Sequence, residues 1–532
     1  MATLKTAFGE FRGKRSDFVV QYLGIKYASL KDQLSAPEMV DRYESEVVDA
    51  SEFGPKCIAT DACEYEQTFL IQQRLEIPKS PPMSGLESLN LNITVPDIPN
   101  TRPLPVMVFI HGGGYSIGSN YWPQYDPARF VKLSIEQGRP VIVVNINYRL
   151  GVLGNLTSEE LHRAGYPGNN SLRDQKCALQ WIKFHIEGFG GDPENVTAFG
   201  ESAGAISVLN QLYSEDPLFK RGISMSGTPI MLKPLPPSVT EIAYGKIMKE
   251  LALENATAEE RIRRLLTIEP DELVAKTPMA VPLLPYLDGE IIPTMASFEK
   301  LSSTANRPDF SIPGSQWCTD LMIGHCQHDG NVFMFMGLES RKAGIAAAFC
   351  SSLTKNLSSP AAAGAVLQAY KISPSTSDDE AMKALLSFTT DIAYYAPALA
   401  YARFWPGRTF YYQFNEPNPW DGPAKGLANH MLDAAFLFQN YNNKLSPEAC
   451  EVAVELAKDF ICFANGLPPW EEFNDAKGNV RIYGPSKTWI TGMGDYNGWY
   501  NGRKDTLFKL QEEGNVDLDE LSLAWDKFLA GQ

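Results

Sequence analysis

The stretch Val196-Thr-Ala-Phe-Gly-Glu-Ser-Ala-Gly204 predicts how this chain folds. A short apolar run ends at Phe199, and a helical pattern begins directly after Gly204. Between them lies Gly-x-Ser-x-Gly, the sequence of a tight strand-to-helix turn that lifts a serine hydroxyl above a sheet edge. A second match, centred on Ser116, follows a run of glycines and leads into no helical pattern. The context therefore favours Ser202 over Ser116 as a nucleophile.

The sequence around this turn alternates between predicted strands and helices. Helical spacing of apolar residues runs from Asn170 to Ile186, and mainly helical patterns return at 236–300 and 340–400. Alternation of this kind implies a mostly parallel sheet with right-handed crossovers. We therefore predict an α/β fold with helices on both faces of a large sheet and helical insertions over the active site. The predicted strands are an antiparallel edge hairpin within 8–29 and runs at 105–110, 141–148, 196–199, 222–226, 320–323 and 409–414.

The net charge and the composition of the chain argue against two classes of protein, those that bind nucleic acid and those that span a membrane. Its 532 residues carry a formal net charge of −16, which argues against nucleic acid as a partner. Hydrophobic residues make up 44% of the chain, and none of their runs approaches the length of a membrane span, about 18 residues. We find no linker composition that would divide the chain, and we expect one catalytic domain over 1–532. The sequence does not indicate an oligomeric state.

The cysteines and the N-terminus bear on the cellular compartment. The eight cysteines form no Cys-x-x-Cys pattern, and no other metal or cofactor motif is present. The first residues contain charges and glycines in place of the apolar core of a signal peptide. We therefore expect a cytoplasmic protein without a metal or cofactor.

A nucleophilic serine needs a base within hydrogen-bond reach and an acid that orients the base. Of the histidines after Ser202, His430 lies in a glycine-containing loop that follows the β-prone run at 409–414, where a late base is expected. Asp329 lies in the loop after the short strand at 320–323, the position expected of the acid. Spacing alone leaves Asp288 open as an alternative acid. A histidine packed at a helix start is the structural alternative for His430.

A glycine run supplies candidate oxyanion donors. His111-Gly-Gly-Gly114 follows directly on a predicted strand, and glycines let bare backbone N–H groups face a substrate oxygen. The N–H groups of Gly113, Gly114 and Ala203 would form a three-donor oxyanion hole. Such a run could bind phosphate instead, but neither a P-loop nor a dinucleotide pattern is present. We expect His111 to hold this loop in place.

These motifs together resemble the type-B carboxylesterase/lipase family, which also contains the cholinesterases. The resemblance implies an α/β-hydrolase fold and cleavage of small-molecule carboxylic esters through an acyl-enzyme, with Ser202 as nucleophile, Asp329 as acid and His430 as base. It also implies Gly113, Gly114 and Ala203 as the oxyanion donors, and a structural ion pair between Arg149 and Asp174. The matching segments run nearly end to end, at 22–28, 53–57, 87–92, 111–115, 147–151, 172–175, 189–193 and 200–204.

Three departures from the family pattern stand out. The acid is Asp329 where the family usually has glutamate, so its loop must approach the histidine more closely. Ser88 replaces the cysteine that would pair with Cys57, which favours a reducing, intracellular setting. Gln33 replaces an arginine and leaves Glu87 without its usual partner.

Two other functions share these residues. An acyltransferase would use the same triad with an alcohol or amine in place of water. A non-catalytic binding protein of the same fold is the third hypothesis, although such relatives typically lose a triad residue. The long irregular stretch at 56–88 is either a lid over the site or an ordinary surface loop.

Overall fold

The predicted α/β pattern forms a thirteen-stranded sheet in the computed structural model, counted over the described residues 1–43, 47–99, 102–302, 311–474, 478–492, 503 and 505–532. The strands are β1 (Ala2–Thr6), β2 (Gly9–Ser16), β3 (Val19–Lys26), β4 (Ala28–Ser29), β5 (Glu38–Met39), β6 (Val48–Ala50), β7 (Asn90–Pro96), β8 (Leu104–Ile110), β9 (Ile142–Ile146), β10 (Gly191–Glu201), β11 (Arg221–Met225), β12 (Asp320–Cys326), β13 (Arg408–Phe414), β14 (Val480–Tyr483) and β15 (Thr488–Thr491). Their order is β1-β2-β3-β7-β9-β8-β10-β11-β12-β13-β14-β15, with β6 on β2, and β4 pairs with β5 separately.

Helices connect and cover these strands. The α-helices are α1 (Cys63–Tyr65), α2 (Ala128–Glu136), α3 (Gly151–Asn155), α4 (Glu159–Arg163), α5 (Asn170–His185), α6 (Ala203–Gln211), α7 (Pro237–Glu250), α8 (Ala258–Thr267), α9 (Pro270–Lys276), α10 (Phe298–Ser302), α11 (Ile345–Asn356), α12 (Pro360–Ala369), α13 (Asp378–Thr389), α14 (Ala396–Phe404), α15 (Leu432–Leu437), α16 (Pro447–Ala464), α17 (Thr506–Glu512) and α18 (Leu518–Leu529). Short 3₁₀ turns lie at Pro123–Tyr125, Ile186–Phe189, Pro313–Gln316, Asp329–Asn331, Glu339–Arg341 and Asn442–Lys444, and π-helical turns at Glu66–Ile71, Met334–Leu338 and Thr390–Tyr395. Among the described residues, no helix is both long and apolar enough to cross a membrane.

Alternating side chains give the sheet two buried faces. On β8, Val106, Val108 and Ile110 point into one core together with α5 and α6, whereas Met107 and Phe109 point into another with α2 and α16. Successive strand residues face opposite ways, so a strand covered by helices on both sides is apolar throughout. This explains why the predicted strand at 105–110 contains no polar residue.

The parallel part of the sheet brings distant loops to one edge. Strands β9, β8, β10, β11, β12, β13 and β14 run parallel, each beside the next. The carboxyl ends of β8, β10, β12 and β13 are Ile110, Glu201, Cys326 and Phe414. Because parallel strands end at the same edge, the loops that follow these four residues meet there. The predicted α/β architecture with a mostly parallel sheet is confirmed.

Two sequence-based expectations differ from the structure. The hairpin of β2 and β3 is not the sheet edge, because β1 pairs with β2 and lies outside it. Residues 277–297 contain no helix between α9 and α10; the stretch was predicted to be mainly helical with a proline-rich joint at 282–285, and this joint is longer than expected. Four prolines in this stretch remove backbone donors and fix φ, which prevents a regular helix.

Candidate active site

Ser202 occupies the strained turn between β10 and α6. Its backbone has φ 55° and ψ −122°, a conformation that side-chain-bearing residues rarely adopt. The turn is held because the Ser202 N–H donates to the carbonyl of Met225 at 2.9 Å, and the Ser202 carbonyl accepts from Ile206 in the first turn of α6. Strain of this kind persists only where the surroundings impose it, and it concentrates at functional sites.

His430 and Asp329 meet although 101 residues separate them. His430 Nδ1 lies 2.7 Å from Asp329 Oδ1, and both side chains are buried. The other carboxylate oxygen of Asp329 accepts from the Cys326 N–H at 2.7 Å. The two loops also pair directly, because the His328 N–H donates to the carbonyl of Ala428 at 2.9 Å. Both loops are therefore fixed relative to each other by backbone as well as side-chain bonds.

The imidazole also lies beside the turn that carries Ser202. His430 Nε2 is 3.0 Å from Oε1 of Glu201, the residue directly before the serine. This contact lacks the alignment of a hydrogen bond, because Glu201 Oε1 has no hydrogen-bond partner among the described residues. The structure thus places His430 between Asp329 on one side and the residue preceding Ser202 on the other.

The glycine run lies against the same turn. A methyl group added to Gly112 would lie 3.1 Å from Ser202 Cβ, so the run passes directly beside the serine. Gly113 and Gly114 have φ of 92° and 60°, in the region that favours glycine. Ala203 is the first residue of α6, where the N–H group has no acceptor within the helix. Ser202 and the three predicted donors, Gly113, Gly114 and Ala203, therefore share one neighbourhood.

Three of the other histidines, His111, His325 and His328, lie next to the segments that form the site. His111 stacks on Tyr148 with ring centroids 4.5 Å apart, and burial lowers its pKa to about 4. Burial likewise lowers the pKa of His328 to about 4 and that of fully buried His325. The stacking of His111 beside the glycine run agrees with the expectation that it holds this loop.

The alternative serine and acid are located elsewhere. Ser116 is exposed in a turn after the glycine run, and its hydroxyl donates to the carbonyl of Gly114 at 3.3 Å. Asp288 accepts from the side chain of Asn169 at 2.8 Å and from two backbone N–H groups of its own loop. The carboxylate that contacts His430 Nδ1 is Asp329, not Asp288.

Opposing influences act on the charge of His430. Burial lowers the pKa of His430. The nearby carboxylates, Glu201 first and then Asp329, raise it by more than burial lowers it, so the net pKa is about 9. Burial also raises the pKa of Glu201 well above the ordinary range. The two groups therefore titrate as a pair that binds a proton more tightly than an isolated histidine does.

Three carboxylates near His430 were given no role by the sequence reasoning: Glu201, Glu66 and Asp433. Asp433 accepts from the Tyr412 hydroxyl at 2.9 Å, and burial raises its pKa to about 6. Glu66 accepts from the Tyr125 hydroxyl at 2.5 Å; burial raises its pKa, and the nearby charge of His430 lowers it. Asp433 lies three residues after the histidine, in the first turn of α15, so its nearness in the chain is a signal of proximity. Nothing in the sequence signals Glu66, because it comes from a distant loop.

A model of the carboxylesterase family matches residues 1–481 of this chain. The chain belongs to the carboxylesterase family. Lipase 3 of Yarrowia lipolytica is 27% identical over 478 residues, a match that covers 86% of each protein. The para-nitrobenzyl esterase of Bacillus subtilis is 27% identical over 498 residues, covering 88% of this chain and 91% of that one.

Solved structures agree with the family. A PNB esterase structure is 25% identical, with a TM-score of 0.72, and the match covers 94% of this chain and 99% of that one. The α/β-hydrolase fold and the family resemblance predicted from the sequence are confirmed. The carboxylesterase is thus a carboxylic ester hydrolase of the serine hydrolase type.

The departures from the family pattern are accommodated locally in this carboxylesterase. Cys57 is reduced and buried beside Ser88, and burial raises the pKa of its thiol to about 12. Gln33 donates to the carbonyls of Leu265 and Ile268. Glu87 pairs with Lys26 at 2.6 Å on the surface. Gln33 and Glu87 therefore have partners of a different kind, whereas the buried Ser88 hydroxyl has no hydrogen-bond partner among the described residues.

The ion pair implied by the resemblance is present in the carboxylesterase. Arg149 Nη2 and Nε donate to the two carboxylate oxygens of Asp174 at 2.7 and 2.8 Å, with both side chains buried. Arg149 also donates to the carbonyls of Gln33 and Ser35 at 3.2 and 2.8 Å. A buried charge pair in which all three guanidinium nitrogens donate hydrogen bonds fixes the loop after β9 against the N-terminal region.

A cavity of about 700 Å³ borders the loops that carry Asp329 and His430. His328 lies in its wall, and its largely apolar lining includes Met334, Phe335, Met382, Leu386 and Leu427. In the part of the chain that the structure describes, no group of three or more histidine, cysteine, aspartate or glutamate side chains is placed to hold a metal.

Proposed function

We propose that this carboxylesterase cleaves its ester through an acyl-enzyme on Ser202, with His430 as general base and Asp329 as the acid that orients it. The observation that carries the proposal is the 2.7 Å contact between His430 Nδ1 and the buried Asp329. With Nδ1–H donated to Asp329, the lone pair of the imidazole is on Nε2, the atom that faces the residue before Ser202.

The proposed reaction then takes two steps on one serine. The Ser202 hydroxyl attacks the ester carbonyl while His430 Nε2 takes its proton, and the imidazolium returns that proton to the departing alcohol. Water then gives a proton to His430 and attacks the acyl-enzyme, and the imidazolium returns this proton to Ser202 as the carboxylic acid leaves. Asp329 stays ionised and stabilises the imidazolium at both steps.

Backbone donors complete the proposed site. The N–H groups of Gly113, Gly114 and Ala203 would bind the oxygen on which negative charge develops. Their support is the position of the glycine run against Ser202 and the free first N–H of α6. Each such donor typically lowers the barrier by about 3 kcal/mol.

Aspartate can fill the role that the family usually gives to glutamate because the two loops are drawn together. The Cys326 N–H holds one carboxylate oxygen of Asp329, and the bond from His328 to Ala428 ties the acid loop to the histidine loop. These bonds make up for a side chain that is shorter by one methylene.

Hydrolysis of p-nitrophenyl esters of increasing acyl length tests this proposal. We expect Ser202→Ala and His430→Ala to lower kcat by about 10⁴-fold or more, and Asp329→Asn by about 10⁴-fold with KM little changed. Ser116→Ala is the matched control, because it removes the alternative serine, and it should keep full activity. Full activity in Ser202→Ala, or its loss in Ser116→Ala, would contradict the assignment.

The same assay separates the acyltransferase alternative. An added alcohol would accelerate release of p-nitrophenol and divert most of the product to a new ester if transfer were the main reaction. We expect the free acid to remain the main product. The acyl length with the highest kcat/KM also measures the size of the acyl pocket.

We further propose that residues 1–532 act as one catalytic unit and that the protein works in the cytoplasm. Support for the location is the reduced Cys57 beside Ser88, where a bridging cysteine would otherwise lie. Fractionation of cells that express the full-length natural protein tests the location, and recovery of the protein in the secreted fraction would contradict it.

A further inference from the structure

The loop that carries His430 is bonded to a segment more than three hundred residues earlier. The Asn429 side-chain amide donates to the carbonyl of Leu70 at 2.7 Å. The Asn418 amide donates to the carbonyl of Ile71 at 3.0 Å. Two consecutive carbonyls of residues 63–72, which we call the clamp segment, thus accept bonds from the histidine loop.

Asn429 uses every polar atom of its side chain. Besides the bond to Leu70, its amide donates to the carbonyl of His430 at 3.0 Å, and its oxygen accepts from Asn418 at 3.0 Å. Its backbone pairs with His328, the residue before Asp329. Asn429 is only 2% exposed, so these bonds form away from water. Asn429 therefore links the clamp segment and the histidine loop through its side chain and the acid loop through its backbone.

The clamp segment is itself anchored on both sides. At its C-terminal end, the Gln72 side chain donates to the carbonyl of Trp420 at 3.3 Å and accepts from the Ala424 N–H at 2.7 Å. Near its start, the Glu66 carboxylate accepts from Gln124 at 3.0 Å as well as from the Tyr125 hydroxyl. The segment thus provides fixed acceptors for the histidine loop.

We propose that Asn429 is a positioning residue for His430, and that the clamp segment supports the catalytic base in place of opening as a lid. The inference rests on the proposed role of His430 as base. Without the Asn429 amide, the histidine loop loses its bond to the carbonyl of Leu70, and the His430 carbonyl loses the donor that holds it. The imidazole must stay within a few tenths of an ångström of its working position, because small displacements of catalytic groups are costly in rate.

Two variants and a matched control test this inference on the full chain with a p-nitrophenyl ester. Asn429→Asp keeps the shape and the acceptor oxygen but loses both donated bonds, and Asn429→Ala loses all three. We expect both to lower kcat by about 10- to 100-fold with KM within about twofold. Asn170→Ala is the control, since Asn170 is also 2% exposed and donates to one buried carbonyl, that of Leu34, at 2.9 Å.

The control should lose stability comparable to that of Asn429→Ala and keep its kcat. A spectroscopic readout separates positioning from folding: the low-field proton resonance of the His430–Asp329 bond should weaken in the Asn429 variants and persist in Asn170→Ala. If Asn429→Ala kept the wild-type kcat and this resonance, Asn429 would be structural only and the inference would be wrong. If His430→Ala stayed active, the proposed function itself would fail, so the two failures are distinguishable.

Discussion

Replacing Glu201 with glutamine should lower the pKa of His430 and extend hydrolysis to lower pH. The two side chains are buried, with 3.0 Å between His430 Nε2 and Glu201 Oε1. Burial alone lowers the pKa of His430, whereas the Glu201 charge is the largest influence that raises it, and the net value moves from 6.5 to about 9. At about 1.4 kcal/mol for each pKa unit, the carboxylates stabilise the imidazolium by about 3 kcal/mol net of burial.

The sign of the effect follows from the role of the base. A general base must be unprotonated, so kcat/KM rises as the pH rises through the pKa of His430. Glutamine keeps the size of Glu201 and removes its charge, so this rise should move to lower pH by about two units. A histidine whose pKa is raised by folding stabilises the protein below pH 6.5, and this stability is lost as the pH rises to about 9. Glu201→Gln should flatten that part of the stability profile.

The assay is kcat/KM for a short p-nitrophenyl ester between about pH 5 and pH 10, corrected for spontaneous hydrolysis. Chemical denaturation across the same pH range measures the stability profile. Glu87→Gln is the control, because it makes the same substitution in a surface ion pair with Lys26, and its profile should match the wild type. An activity profile that stays in place in Glu201→Gln, or that moves to higher pH, would refute the reasoning.

Three further predictions concern stability. Ser88→Cys should form a disulfide with Cys57, which lies beside it. Closing a loop of about 30 residues stabilises the protein by about 4 kcal/mol in the chain-entropy model. We expect a rise in Tm that reductant abolishes. Arg149→Met leaves the buried Asp174 unpaired and should cost about 3–5 kcal/mol in urea unfolding. Gly204→Ala places a methyl carbon 1.9 Å from the Ile110 carbonyl oxygen, so we expect a loss of about 1–3 kcal/mol and of most of the esterase activity.

Local patterns in the sequence were enough to predict eight of the thirteen strands, β2, β3 and β8 to β13, whereas β1, β6, β7, β14 and β15 were not predicted. The apolar run before Ser202 is part of β10, and the helix predicted after it is α6. Strand β12 and the loop after it were found because a short apolar run ends at a glycine before Asp329. These predictions succeeded because strand and turn preferences depend on neighbours in the chain. The proline-rich joint at 282–285 was recognised from the sequence, but its extent over 277–297 was underestimated.

The candidate site was predicted less completely. Ser202, His430 and Asp329 were selected from motif and order, and the structure brings the histidine and aspartate together, while their catalytic roles stay predictions. The sequence left Asp288 as an alternative to Asp329 for the acid, because spacing does not show which carboxylate reaches the histidine. No sequence pattern indicated that Glu66 lies near the site, because its interaction with His430 depends on a loop that packs there from a distant part of the chain.

The sequence by itself determined the parallel core strands β8 to β13, the strained turn at Ser202 and the family of the chain. Only the tertiary structure decided which side chains surround His430. The Asn429 amide reaches the carbonyl of Leu70 across 359 residues of sequence, and Glu201 reaches the imidazole from another strand end. Local preferences specify each turn and strand, whereas such contacts arise only after parallel strands align their ends and the intervening loops pack together.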